Sequence, residues 1–103
     1  MKRYISNYIL INSTQHTNSV LCVDNNGTCS VHRFDVETAA TLYVEGAIVV
    51  APASAFAAIE AALLCAASLR KALDAILPLT AASSTESTLI AQVSFSPKIV
   101  RKL

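Results

Sequence analysis

Alternating apolar and polar residues predict β-strands at both ends of the chain. From Tyr4 to Asn12 the side chains fall on two sides, with Tyr4, Ser6, Tyr8 and Leu10 opposite Ile5, Asn7, Ile9 and Ile11, and this period of two is typical of a strand. Thr88–Ser96 alternates in the same way and predicts a half-buried strand. The polar stretch STQHTN, residues 13–18, lacks the pattern. It predicts a connection that leaves His16 exposed.

The segment DNNGT, residues 24–28, predicts a tight β-hairpin. A type I turn at Asn25 and Asn26, followed by Gly27 in the left-handed region, gives a three-residue loop that pairs Asp24 with Thr28. In this register one face carries Leu21, Val23, Cys29 and Val31, and the other carries Cys22, Ser30 and His32. A two-residue turn at Asn26 and Gly27 would mix polar and apolar residues on both faces. The buried face sets the register of a strand, so the three-residue loop is favoured.

The middle of the chain contains two long apolar segments. LYVEGAIVVAP, residues 42–52, is apolar on both faces and predicts a central strand that ends at Pro52. Residues 53–77 are rich in alanine and leucine, with no glycine or internal proline. They predict one long helix with Ser54 as its N-cap and Pro78 as its stop. A short terminal segment, KIVRKL, follows Pro97.

These elements predict a single α+β domain spanning residues 1–103. We expect a mostly antiparallel sheet of about five strands, with one long helix, about residues 53–77, packed on one face. A continuous helix of this sequence has a buried stripe that includes Cys65, with Leu63 and Leu64 at the margins of its polar face. Because leucines at such a margin leave an apolar patch on a monomer, Leu63 and Leu64 are candidate subunit-contact residues.

Composition supports self-association. Apolar residues make up 53% of the chain and charged residues only 15%, which is too few to cover an ordinary monomer surface. We therefore predict a homo-oligomer, a dimer or larger. Eight basic residues against seven acidic ones give no field that would attract nucleic acid, so no nucleic-acid partner is expected. The basic residues near both termini are interpreted as solubilising.

Localisation follows from apolar run length and cysteine usage. The uncharged run from Gly46 to Ile59 spans 14 residues and contains Pro52, which is shorter than a bilayer crossing needs. No membrane partner is therefore expected. Residues 4–15 do not resemble the apolar core and cleavage site of a signal peptide. An odd number of cysteines, three, is unusual in a small secreted protein, so a cytoplasmic location is predicted.

The cysteines and histidines do not have the spacing of a metal site. Cys22 and Cys29 are separated by six residues, whereas structural zinc ligands usually come in closer pairs. The hairpin register also puts the two cysteines on opposite faces, which excludes a shared metal and a disulfide between them. With only two glycines, a phosphate-binding loop is not expected. We predict no metal, no cofactor and no catalytic residues.

The segment order is similar to a known β-domain. VDNNGTCSVHRF, residues 23–34, and YVEGAIVVAP, residues 43–52, resemble the hairpin and the following strand in the small N-terminal domain of amidohydrolases of the dihydroorotase and cytosine deaminase kind. That family places a metal-binding His-x-His after the strand, whereas this chain has apolar residues and Pro52. The resemblance therefore implies a stand-alone β-domain with a helix of its own, of the kind seen in small bacterial proteins, and no amidohydrolase activity.

Three functions remain open from the sequence. The first is a non-enzymatic assembly or protein-interaction module that self-associates, as the low charge and the marginal leucines indicate. The second is a small-molecule-binding or thiol-dependent protein that uses the face of Cys22, Ser30 and His32. The third is peripheral membrane association through the apolar helix.

Overall fold

The computed structural model describes residues 2–33, 41–81 and 87–103. Seven strands form one mixed sheet, and two short α-helices lie between the fifth and sixth strands. The elements are β1 (Lys2–Ile11), β2 (Thr14–Val23), β3 (Cys29–Arg33), β4 (Thr41–Tyr43), β5 (Ala47–Pro52), α1 (Phe56–Cys65), α2 (Leu69–Ile76), β6 (Thr88–Phe95) and β7 (Lys98–Lys102). 3-10 helices, Ala53–Ala55 and Leu77–Thr80, adjoin the α-helices.

The sheet order is β3-β2-β1-β5-β6-β7, with β4 pairing against β1 beside β5. Only the pairs of β1 with β4 and with β5 are parallel, and the other four pairs are antiparallel. The α+β class is confirmed, but the sheet is larger than the five strands predicted. The additional strands come from the division of residues 42–52 into β4 and β5, and from β7, which was interpreted as a terminal segment.

The hairpin of β2 and β3 has the predicted register. Val23 pairs with Cys29, Cys22 with Ser30, and Val20 with His32. The Asp24 amide donates to the Thr28 carbonyl oxygen at 3.0 Å, and Gly27 has φ +83°. The Asp24 carboxylate accepts hydrogen bonds from the amides of Asn26 and Thr28, both at 2.9 Å. Local turn chemistry therefore determines this register.

The prediction of a connection over residues 13–18 is wrong. Ile11 pairs directly with Thr14, and the turn residues Asn12 and Ser13 have φ +51° and +60°, as a two-residue hairpin turn requires. The polar residues that follow belong to β2, where His16 is half-buried and pairs with Ile9. Polar side chains suit this part of β2 because much of it lies at the surface.

The two faces of β1 exchange roles in the middle of the strand. Tyr4 packs in the same core cluster as Ile9 and Ile11, although a strict period of two puts it on the opposite side. Asn18 in β2, at the point of exchange, has φ +51°, a left-handed conformation that asparagine tolerates. The predicted division of β1 into two faces therefore fails between Tyr4 and Ile9.

Gly46 divides the apolar segment 42–52. It has φ +86°, and a Cβ atom added there would overlap the carbonyl oxygen of Val93. The chain therefore leaves β1 after Tyr43 and returns to it one residue out of register at Ala47. β5 itself is buried on both faces, as predicted for the central strand.

The predicted long helix is two shorter helices. α1 ends at Cys65, Ala66 is extended with ψ 143°, and Ser68 caps α2 by accepting a hydrogen bond from the Lys71 amide at 3.2 Å. Lys98 contacts the other side of the break, because its Nζ donates to the carbonyl oxygens of Leu64 and Ala66 at 3.2 and 2.8 Å. These contacts satisfy helix-end groups that a continuous helix would bond internally. The predicted Ser54 N-cap is also wrong, since α1 begins at Phe56 after Ala55.

The core consists of two clusters on opposite faces of the sheet. Both helices cover the first cluster, which includes Val49, Ala91, Ile59, Leu63 and Leu73. The second contains Ile9, Ile48 and Val50, with Val23, Cys29 and Val31 of the hairpin packed against it. β3 and β5 are three strand positions apart in the sheet, roughly 14 Å if flat. Their shared cluster shows that the sheet curls so that the hairpin covers this face.

Residues 35–41 and 79–87, whose polar and small-residue sequences also predict connections, lie partly outside the described residues, and Leu79 and Thr80 belong to the 3-10 helix Leu77–Thr80.

Candidate functional site

Cys22, Ser30 and His32 lie on one face of the β2–β3 hairpin, as predicted. Cys22 pairs directly with Ser30 across the strands, and the Ser30 hydroxyl is 3.1 Å from His32 Nε2. Both Ser30 and His32 are exposed, while Cys22 is half-buried. A serine–histidine contact needs a third group to orient the imidazole before it resembles a catalytic triad. In the described part of the chain no carboxylate contacts His32, so the geometry does not assemble a triad.

Cys29 lies on the opposite face of the same hairpin. Burial raises the pKa of its thiol above the ordinary value of 9.0, and the nearby Asp24 carboxylate raises it further. Its Sγ is 3.7 Å from the Gly27 carbonyl oxygen. A thiol with a raised pKa stays protonated at neutral pH and is a weak nucleophile. Cys29 also packs against the second core cluster, which is the position of a packing residue.

Metal ligands are dispersed. Among residues 2–33, 41–81 and 87–103, no group of three or more histidine, cysteine, aspartate or glutamate side chains could hold a metal ion. Cys22 and Cys29 point to opposite faces of the hairpin, and Cys65 lies at the end of α1.

The outward face of α1 is apolar. We define the α1 face as its exposed residues, of which Glu60 alone is charged: Ala57, Ala58, Glu60, Ala61, Leu64 and Cys65. Leu64 is 65% exposed, whereas Leu63 is 1% exposed and lies in the first core cluster. The prediction that both leucines lie at the helix margin therefore holds for Leu64 only. Cys65, expected on the buried stripe, is exposed, because the buried side of α1 runs through Ile59 and Leu63 instead of Ala58 and Cys65.

The neighbouring helix α2 has an ordinary solvent-facing surface. Its exposed residues are Arg70, Lys71, Asp74 and Ala75. Arg70 donates to the Gln15 side chain at 2.9 Å and lies 5.3 Å from the centre of the Tyr8 ring. Its other contact is with Asp74 at 3.7 Å. The two helices cover the same sheet, yet only α2 carries the charges expected of a surface helix.

A groove of about 200 Å³ separates α1 from the edge strand β7. Leu64 and Ile99 line it together with Glu60 and Lys98, and Ile99 is 48% exposed. Lys98 lies across Phe95, with its Nζ 4.9 Å from the ring centre, and bonds the end of α1. Lys98 therefore has a structural role. The sequence analysis had interpreted it only as a solubilising residue near the terminus. The groove extends the apolar α1 face towards β7.

Sequence reasoning missed the participation of β7 in this surface. The segment KIVRK places the apolar pair Ile99 and Val100 between basic residues, so it is too short and too charged to stand out as a strand. The exposed Ile99 becomes visible as part of a patch only when β7 is placed beside α1.

No helix among the described residues is long and apolar enough to cross a membrane. Comparison with protein-family models, with curated proteins and with solved structures finds no match. The similarity to the amidohydrolase β-domain therefore stays a prediction, and the surface of α1 and β7 is the feature of this chain from which a function is best argued.

Proposed function

We propose that this protein is a non-enzymatic assembly module that associates with a second copy of itself through the α1 face and the adjoining groove. The observation that carries the proposal is the contrast between the two helices. Five of the six exposed residues of α1 are apolar or small, whereas three of the four exposed residues of α2 are charged. Burying such a face is favourable by roughly 25 cal/mol for each Å² of apolar surface removed from water.

Small side chains make α1 suited to close helix packing. Ala57 and Ala61 are one helical turn apart, and Ala58 and Cys65 flank them. Residues of this size let two helix axes approach to about 8 Å, at the short end of the usual range. Leu64 supplies the one large side chain of the face. The proposed contact therefore has two α1 helices crossing near Ala61, with Leu64 of each copy packed into the groove of the other.

The charges of this surface suit a symmetric pair. Glu60 is the only charged residue of α1, and β7 contributes Lys98, Arg101 and Lys102 without an acid. In a two-fold contact the same patch meets itself, so Glu60 of each copy faces the basic strand of the other. Edge-to-edge pairing of β7 with β7 would instead bring lysines opposite lysines, which is unfavourable. Helix packing is therefore the preferred mode.

Matched alanine-to-glutamate substitutions on the two helices test the proposal. In sedimentation velocity over a wide concentration range, the unmodified protein is expected to form dimers or larger species. Ala61→Glu places a charge at the centre of the proposed contact and should give a monomer at all concentrations. Ala75→Glu introduces the same charge on exposed α2 and should sediment like the unmodified protein. Far-ultraviolet circular dichroism shows whether each variant keeps its fold.

Alkylation of Cys65 gives a second measurement that needs no substitution. Cys65 is exposed at the end of α1, so self-association should slow its reaction with iodoacetamide as protein concentration rises. Cys22, on the distant hairpin, provides the internal reference and should react at a constant rate. A clean monomer at high concentration, or a dimer that Ala61→Glu leaves intact, would contradict the proposed contact.

Flotation with lipid vesicles separates self-association from membrane binding. Interfacial helices use large apolar side chains with a basic polar face, whereas the α1 face is mostly alanine and includes Glu60. We therefore expect the protein to stay unbound in flotation with vesicles of neutral or anionic lipid. Flotation of a monomeric protein with such vesicles, abolished by Ala61→Glu, would replace the dimer with a lipid surface as the partner of α1.

A further inference from the structure

A second recess lies at the other end of the sheet from the α1 groove. It is a cleft of about 410 Å³ between the DNNGT loop, the ends of β1 and β5, and the start of β6. This volume falls within the range of small-molecule sites, roughly 300–1,000 Å³. None of the surfaces assigned to self-association contributes to it.

The strand connections explain why a cleft opens here. β1 and β5 are adjacent and parallel, so their carboxyl ends lie side by side. The chain leaves β1 towards β2 on one side of the sheet, and it leaves β5 through the helices to β6 on the other side. The connections diverge from the ends of neighbouring parallel strands, and their described residues Asn12, Thr80 and Thr88 line the cleft. Ligands of open α/β sheets bind at such points.

The floor of the cleft is apolar and continuous with the core. Ile11 and Val50, at the ends of the two parallel strands, are buried members of the second core cluster. Cys29 packs against the same cluster and forms part of the wall. Pro52 adds a rigid apolar surface on the far side. An apolar ring or short alkyl group would gain favourable contact on this floor.

The rim is polar but uncharged. Asn12, Asn26, Thr28 and Thr88 line the cleft and are exposed, so their amide and hydroxyl groups are available as both donors and acceptors. Thr80 is already satisfied, because its hydroxyl accepts from the Ser13 amide and donates to the Leu77 carbonyl oxygen. No residue lining the cleft in the described part of the chain carries a charge. The Asp24 carboxylate beneath the loop is occupied by two backbone amides.

We propose that this cleft binds an uncharged small molecule that has an apolar ring and several hydroxyl or amide groups, the chemistry of a nucleoside or a glycoside. The apolar floor accommodates the ring, and the asparagine and threonine side chains bond the polar groups. A phosphorylated or carboxylated analogue binds poorly, because the cleft offers no cation to compensate for desolvation of its charge. Binding is independent of self-association, since the α1 face lies elsewhere.

The test uses the full chain, labelled with ¹⁵N, and matched probe pairs. Adenosine is compared with adenosine 5′-monophosphate, and phenyl glucoside with phenyl glucoside 6-phosphate, by amide chemical-shift titration. A neutral probe should shift the amides of Gly27, Thr28, Cys29 and Thr88, and its charged counterpart should bind at least tenfold more weakly, about 1.4 kcal/mol. Ala61→Glu, which targets the subunit contact, should leave the titration unchanged.

Blocking the cleft supplies the control. Thr88→Trp fills the rim from an exposed position and should abolish the shifts. Thr17→Trp makes the same change on exposed β2, away from the cleft, and should retain them. Absence of localised shifts with both neutral probes, equal binding of the phosphorylated ones, or binding that survives Thr88→Trp would each overturn the proposal.

Discussion

Gly46 and Gly27 have similar backbone angles and different surroundings. Both have positive φ, +86° and +83°. A Cβ at Gly27 would meet nothing within 4 Å, whereas one at Gly46 would overlap the carbonyl oxygen of Val93 in β6. The first position therefore requires glycine for conformation alone, and the second also requires it for close approach of two backbones.

We predict that Gly46→Ala destabilises the protein much more than Gly27→Ala. Gly27→Ala should lower the free energy of unfolding by about 1–2 kcal/mol, the penalty of the left-handed conformation. Gly46→Ala adds displacement of β6 and should exceed about 4 kcal/mol, in the exceptional range for a single substitution. Urea denaturation of both variants measures the difference. Equal losses would show that β5 and β6 can separate without penalty at this point.

The Cys29 thiol makes the stability of the folded protein depend on pH. Its pKa is raised first by burial and second by Asp24, so the folded protein keeps the thiol proton at a pH where the unfolded chain has lost it. The contribution of this thiol to stability is therefore present below the ordinary thiol pKa and declines as the pH rises above it. The effect belongs to the alkaline range.

We predict that alkylation of Cys29 follows a pH profile displaced to higher pH than that of glutathione, because the thiolate is the reactive form. Asp24→Asn removes the charge but keeps a side-chain oxygen for the two turn amides, so it should move the profile part of the way back. Peptide mass spectrometry after iodoacetamide treatment resolves the individual cysteines. A profile identical to that of glutathione would contradict the burial of this thiol.

At the scale of elements, the break between α1 and α2 depends on a residue remote in sequence. Lys98 in β7 donates to two carbonyl oxygens at the end of α1, where a cation also opposes the negative end of the helix dipole. Ser68 caps the start of α2. Alanine-rich composition predicts helix across residues 53–77, and it contains no sign of a contact made 32 residues later.

We predict that Lys98→Met lowers the free energy of unfolding by about 2 kcal/mol, the usual magnitude for loss of hydrogen bonds to a charged group. Methionine keeps the apolar stem over Phe95, so the loss reports the ammonium group. Lys71→Met, at an exposed position of α2, should change stability by less than about 0.5 kcal/mol. Urea denaturation compares the pair. Similar values for both variants would show that Lys98 does not support α1.

At the scale of elements, some predictions from sequence are confirmed and others are wrong. The β2–β3 register could be predicted because five consecutive residues determine it through turn geometry. The faces of β1 could not, since Tyr4 packs in the cluster of Ile9 and Ile11 and β1 pairs with β4 and β5 in registers one residue apart. Leu63 was misplaced for a related reason, because a helical stripe assumes one uninterrupted helix. Patterns fail where the determining contact comes from another element.

At the scale of the whole molecule, the candidate sites could be identified only once the strands and helices were placed in the fold. Sequence composition indicated self-association, and Leu64 is exposed on α1. Leu64 and Ile99 line one groove only because β7 lies beside α1. The cleft at the ends of β1 and β5 unites residues from Ile11 to Thr88, and no local motif marks it. A surface can thus be anticipated from composition, whereas a recess needs the strand order.

The central position of β5 also has a consequence for the order of folding. The hairpins β1–β2, β2–β3 and β6–β7 join neighbouring segments, but β5 pairs with β1 some 39 residues away and with β6 across both helices. Closing loops of this length is entropically unfavourable, so β5 should join the sheet late. We expect Val50→Ala in β5 to accelerate unfolding with little effect on the folding rate. Val20→Ala, at an equally buried position in β2, should slow folding, and stopped-flow φ-values will distinguish them.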